Sequence, residues 1–191
     1  MFLVIDRNSE IISRRVNRTF QAAGDPLVSQ EAVEGSARNE MSKDSGSRGE
    51  FKRILLAVDG SANALRAAKV AVNIAKKFGA ELIVCHVIAT PFYSSVQPAT
   101  LTEYFVSARD EAKKLIGEVL KMAETDDVTA HELIVENVFS VVEAIVKNAA
   151  SRNVDLIVIG TRGLTGFRKL LIGSVSSGVV NHAHCSVLMV R

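Results

Sequence analysis

Two glycines three apart, Gly160 and Gly163, are followed by the pair Gly173-Ser174. Glycines spaced in this way let a backbone turn tightly and approach a ligand with no side chain between them. Gly173-Ser174 stands where a helix is predicted to begin. The free amides and positive dipole end of a helix suit a phosphate. The Ser174 hydroxyl can donate to a phosphate oxygen or cap the helix. A second segment is Val58-Asp59-Gly60-Ser61. A carboxylate there can accept hydrogen bonds from ribose hydroxyls, or hold a cation beside phosphates. A third is His86-Val87-Ile88, where main-chain groups at a strand end can read an adenine edge. Each has a plainer account: a surface turn for the glycines, and helix caps for Ser174 and Asp59. Arg162, Arg168 and Lys169 can screen phosphate charge or form a solvated basic face. His182 and His184 are two apart, which on a helix places them on different faces. A histidine at the negative pole of a helix is a simpler reading than a metal site. Cys85 lies among apolar neighbours and reads as an inert core residue.

These residues need a scaffold, and the hydrophobic pattern supplies one after residue 50. Ile54-Leu55-Leu56-Ala57-Val58 is a continuous apolar run, the mark of a strand buried on both faces. Ser61 is placed to cap a helix reaching Phe78, with Gly79 to end it. Leu65, Ala68, Val72 and Ala75 are expected on its inward stripe. Glu81 to Val87 is a second strand. A polar loop with Pro91 and Pro98 follows, then a helix expected from a Thr100 cap to about Glu124, with Phe105, Ala108, Ala112, Leu115 and Val119 inward. Ala130 to Val135 is a third strand. Ser140 with Glu143 makes a capping box for a helix to about Ser151. Asp155 to Ile159 is a fourth strand, Ser174 to about Ala183 a helix, and Ser186 to Val190 the last strand. Strands alternating with helices imply right-handed crossovers. The expected fold is α/β: a single doubly wound, five-stranded parallel sheet with helices on both faces. Ligands of such sheets bind beyond the carboxyl ends of the strands.

Residues 1–50 lack a sustained period and collect Pro, Gly, Ser and charges, most densely over residues 42–49. They read as a flexible tail, within which Ile11 to Phe20 can form a short basic helix and Met41 can serve as the natural start. The domain is expected over residues 51–191. With 48% hydrophobic and 23% charged residues among 191, the chain can bury a core. A formal net charge of +2 gives no reason to expect nucleic acid or an anionic membrane as partner. Two cysteines make no disulfide framework and fit a reducing, cytoplasmic setting. No uncharged apolar run reaches the roughly 20 residues needed to span a bilayer.

Gly160-x-x-Gly163, nine residues, then Gly173-Ser174 resembles the phosphate-loop pattern of the universal stress protein family. Ile54 to Ser61 resembles its first strand and turn, Cys85 to Ile88 its second strand end, and Val154 to Ile159 its fourth strand. The resemblance covers about residues 51–191 and points to the ATP-binding branch. It implies a cytoplasmic homodimer that binds ATP, with Mg2+ as a companion ion. By that resemblance Asp59 holds the ribose, and the Val87 backbone the adenine, with Ala57 and Val58 lining the base pocket. Gly160, Gly163, Gly173 and Ser174 hold the phosphates, Val175 and Ser176 lie beside them, and Arg162 sits in the loop. The implied strand order puts Ser186 to Val190 at a sheet edge, where antiparallel pairing with a second copy would form the dimer. Two positions depart from the pattern. Phe139-Ser140-Val141 replaces a Gly-x-Pro, and Ser186 a proline; both shape loops.

The expected function is a nucleotide-dependent regulatory or stress-response module rather than a catalyst, with slow hydrolysis left open. An adenylating or pyrophosphatase enzyme on this fold needs a Ser-Gly-Gly-rich loop after the first strand. Here the turn reads Asp59-Gly60-Ser61-Ala62-Asn63. No His or Glu stands near the glycine loop as a water-activating base. A stress dimer without ligand is the third reading, disfavoured by the intact glycine spacing.

Overall fold

The structure, a computed structural model, describes residues 2–5, 11–13, 51–91, 98–164 and 172–191. Its elements in chain order are β1 (Phe2–Ile5), β2 (Ile11–Ser13), β3 (Arg53–Ala57), α1 (Ala62–Phe78), β4 (Glu81–Ala89), α2 (Pro98–Thr125), β5 (Ala130–Val138), α3 (Val141–Ser151), β6 (Leu156–Gly160), α4 (Ser174–His182) and β7 (Ser186–Val190). The sheet order is β2-β1-β7-β6-β3-β4-β5. β3 pairs in parallel with β4 and β6, β4 with β5, and β6 with β7. These five are the expected parallel sheet.

Apolar residues of both parities along the central strands build two cores. Ile54, Leu56, Leu82, Val84, Leu156 and Val158 face α1 and α2. Leu55, Ala57, Ile83, Cys85, Ile157 and Ile159 face α3 and α4. This is why β3 and β6 read as unbroken apolar runs.

α1 begins at Ser61, whose hydroxyl accepts from the Ala64 N–H at 3.1 Å. It ends at Gly79, where φ is +62° and the N–H returns to the Ala75 carbonyl. Its buried stripe is Ala64, Ala67, Ala68, Ala71, Val72 and Ala75. Leu65, expected inward, is 36% exposed. The stripe is alanine-rich, which brings the helix close to the sheet, and the larger side chain turns outward. α2 starts at Pro98 rather than after a Thr100 cap. Proline is suited to the first helical position because its missing N–H would have no partner there. Ala112, Ile116, Val119 and Ala123 are buried on α2, whereas Phe105, Ala108 and Leu115 are half-buried. α3 is capped as expected, Ser140 Oγ accepting from Glu143 N–H at 3.2 Å. Glu143 also pairs with Lys147 one turn on, which holds its carboxyl below the usual range.

The N-terminal segment differs from a featureless tail. Phe2–Ile5 lies parallel to β7, with Phe2 opposite Val187 and Ile5 opposite Val190. Ile11–Ser13 folds back antiparallel on it, as a strand and not as the start of a helix. Four consecutive apolar residues, two of them β-branched, suit a strand. They are too few to show a period, so the pattern was silent. β7 is therefore not the last strand on its side, and its outer ladder is taken by β1. Residues 14–50, including Met41, lie outside the described residues. So do Arg168 and Lys169.

Candidate functional site

A cleft of about 270 Å3 opens at the carboxyl ends of β3, β4 and β6. Several segments of the chain meet in it. β3 delivers Ala57, Val58 and Asp59, β4 delivers Val87, and the stretch after β6 delivers Gly160, Arg162 and Gly163. The start of α4 closes it with Gly173, Ser174, Val175 and Ser176. The residues to which the family resemblance assigns the nucleotide, from Ala57 to Ser176, thus line one cavity, with Ser61 beside them, whereas Gly60, His86, Ile88, His182 and His184 do not line it. Six further linings, Ala64, Cys85, Val141, Ile145, Ile159 and Leu164, were missed. Cys85 and Ile159 could have been found from strand alternation, since they share a face with Ala57. Val141 and Ile145 come from α3, and only the crossover places them there.

One wall is apolar and the other is made of main-chain donors. β4 outruns β3: the last pair is Ala57 with Cys85, and Val58 N–H donates to the Cys85 carbonyl at 2.9 Å. Two residues on, Val87 points its N–H and C=O to the same side, beyond the end of β3. Opposite, Gly173 is the N-cap of α4 and makes no side-chain cap bond. Ser174 is therefore not a cap, and its exposed hydroxyl faces the cleft. The first intrahelical bond of α4 is from Ser177 N–H to the Gly173 carbonyl at 3.0 Å, which leaves the amides of Ser174, Val175 and Ser176 as free helix-start donors.

The glycine loop is held from several directions. Thr161 N–H donates to the Val190 carbonyl, and Gly173 N–H to the Thr161 carbonyl, each at 2.7 Å. Ser176 is buried, and its hydroxyl donates to the Gly160 carbonyl at 2.6 Å. Its side chain therefore anchors the loop rather than facing a ligand. The Arg162 carbonyl accepts from Ser61 Oγ and Asn63 Nδ2, both at 3.3 Å. Asp59 also ties the loops together. Its Oδ1 accepts from Ser61 N–H at 3.0 Å and its Oδ2 from Leu164 N–H at 3.2 Å.

The glycines act by closeness rather than by unusual backbone angles. Among the described glycines only Gly60 and Gly79 have positive φ. A Cβ on Gly160 would lie 2.9 Å from Asn63 Cβ and 3.0 Å from the Ala64 nitrogen. A Cβ on Gly163 would collide with Asp59 Oδ2. Gly160 thus lets α1 seat against β6, while Gly163 gives room to the Asp59 carboxylate.

Burial pushes the Cys85 thiol up to about 12, against a small opposing pull from Arg152. His86 Nδ1 donates to the Val58 carbonyl at 2.9 Å and so braces β3 against β4. His182 Nδ1 likewise donates to the Gly178 carbonyl at 2.8 Å, one turn back in α4, as a helix-end histidine should. Among the described residues no cluster of three or more His, Cys, Asp or Glu could hold a metal ion. No helix among them is long and apolar enough to cross a membrane.

A doubly wound α/β sheet with a glycine loop and a helix start at its carboxyl edge defines a class of small-ligand-binding proteins. Known proteins narrow this class. The universal stress protein family model matches residues 50–191. A universal stress protein of Methanocaldococcus jannaschii is 37% identical over 142 residues, covering 74% of this chain and 82% of the relative. The solved universal stress protein UspA of Lactobacillus plantarum superposes with a TM-score of 0.68 at 28% identity, covering 74% of this chain and 99% of that one. A universal stress protein solved with cAMP shares the fold, with a TM-score of 0.57 at 24% identity over 74% of this chain and 98% of that one. The chain belongs to the universal stress protein family.

Proposed function

We propose that this chain is an adenine-nucleotide-binding regulatory module whose ligand is ATP. One observation carries the reading. An apolar slot ending at Val87, whose main chain lies past the last β3–β4 pair, faces across a single cleft the helix-start amides of α4 and the Ser174 hydroxyl. The slot of Ala57, Val58 and Cys85 suits a flat base. The Val87 N–H and C=O complement the acceptor and donor on the adenine edge. The α4 amides, with Gly163 giving close approach, suit phosphate oxygens. Asp59 meets the ribose once its Oδ2 releases the Leu164 N–H. That exchange couples ligand entry to movement of the loop after Gly163, a change that a partner surface can read. Mg2+ would neutralise the phosphate chain, with Asp59 as the carboxylate nearest to hand.

Turnover is not the expected output. Among the described residues no His or Glu lines the cleft, and Asp59 is held by two backbone amides rather than poised over a water. The free thiols of Cys85 and Cys185 fit a reducing cytoplasm. A homodimer through β7 is the expected assembly, and it requires β1 to leave that edge.

Calorimetric titration of the full chain with ATP and GTP tests the reading. ATP should bind and GTP should bind at least about tenfold more weakly, because guanine presents the reverse donor–acceptor order to Val87. Gly163→Val should abolish ATP binding. Asp59→Ala should weaken it by about 1–3 kcal/mol through loss of charge-assisted hydrogen bonds. Equal affinity for the two nucleotides, or wild-type binding by Gly163→Val, would place the nucleotide elsewhere.

A further inference from the structure

The segment Arg162–Leu164 has a second side. An open polar cleft of about 340 Å3 adjoins it. It shares Ser61, Arg162, Gly163 and Leu164 with the first cleft and adds Arg66 and Arg191. Three arginines therefore line it, and among the described residues no Asp or Glu side chain does. Among the described residues none of the three arginines is in an ion pair. Arg66 donates to the Asn63 side-chain oxygen, a neutral partner that leaves its charge uncompensated. The Nε–H groups of Arg66 and Arg162 are buried with no acceptor among the described residues. Ala62 and Asn63, the first residues of α1, complete the wall. Like charges lining one cleft and buried donors without acceptors are both unfavourable. A multi-oxygen anion relieves both at once, and guanidinium forks match phosphoryl oxygens in pairs.

We propose that Arg66, Arg162 and Arg191 form a second binding site, for a phosphate-type oxyanion. The anion is the end of a phosphate chain that starts in the first cleft, or a separate phosphate compound bound beside it. The site itself does not depend on the first cleft being filled.

Pyrophosphate is the probe, titrated calorimetrically into the full chain at low ionic strength, alone and with saturating adenosine. The wild type should bind it in both conditions. Arg66→Gln and Arg191→Gln should each weaken binding about tenfold or more, and salt should weaken wild-type binding. Arg66→Lys keeps the charge without the fork and should fall between the wild type and Arg66→Gln, a gradation that a folding defect would not produce. Circular dichroism checks that each variant is folded. ATP then separates the two sources. If Arg66→Gln weakens ATP and pyrophosphate alike while adenosine is unaffected, the anion is the nucleotide's own chain. If ATP is unaffected and pyrophosphate weakened, the anion is a separate phosphate compound. No pyrophosphate binding by the wild type, unchanged binding by both glutamine variants, or displacement of pyrophosphate by adenosine would overturn the proposal.

Discussion

Gly160→Ala separates the structural work of the glycine loop from its binding work. The added Cβ would sit 2.9 Å from Asn63 Cβ and 3.0 Å from both the Ala64 nitrogen and the Asn63 carbonyl carbon. Two of these three atoms are backbone of α1, so relief requires the helix to move off the sheet. α1 is packed there through fully buried alanines, Ala67, Ala68 and Ala71, which have no rotamers with which to adjust. Overpacking of this kind costs about 1–3 kcal/mol, or about 2–12 °C in melting temperature for a domain of this size. Gly163→Ala is the control. Its Cβ meets only the Asp59 carboxylate, a side-chain end that can swing away at the loss of the Leu164 hydrogen bond. The stability cost there should stay near or below about 1 kcal/mol. Thermal unfolding of both variants, followed by circular dichroism without ligand, gives the comparison. A Gly160→Ala protein that melts within about 1 °C of the wild type, or a Gly163→Ala protein that loses more than Gly160→Ala, would refute this account of the two glycines.

Two further expectations follow from burial and from the sheet edge. Cys85 is held protonated up to about 12 by burial, whereas in the unfolded chain a thiol ionises near its ordinary value of about 8.5. The folded state therefore keeps a proton that the unfolded state loses, so this contribution is complete below the unfolded value and declines as pH rises toward 12, by up to about 1.4 kcal/mol per pH unit. Denaturant melts between pH 8 and 11 should show a steeper loss for the wild type than for Cys85→Ala, and parallel curves would contradict it. β1 covers the outer ladder of β7, so deleting residues 1–14 exposes an unpaired edge. Light scattering should then show a larger dimer fraction than in the full chain, and an unchanged mass would show that β1 does not compete with a second copy.

Much of the domain was legible because local physics decides it. Unbroken apolar runs at Ile54–Val58 and Leu156–Ile159 can only be satisfied by burial on both faces. Ser61, Gly79 and Ser140 act at helix ends through bonds to residues a few positions away. The spacing of Gly160, Gly163 and Gly173-Ser174 marked the loop, though not why each glycine is there. Contacts between distant segments were beyond reach. Only the folded chain shows that Gly160 makes room for α1, and that Asp59 bonds a loop more than a hundred residues away. Only it shows that the Ser176 hydroxyl is already used. Val141 and Ile145 join the cleft because the α3 crossover returns over the sheet, and β1 finds β7 across nearly the whole chain. The cleft beside Arg162 brings together Arg66, Arg162 and Arg191, three arginines with no shared period or motif. Periodicity and capping operate within a few turns of chain, whereas a site is made where strand ends and helix starts from different segments meet. That meeting is set by sheet order and helix packing, which only the tertiary structure decides.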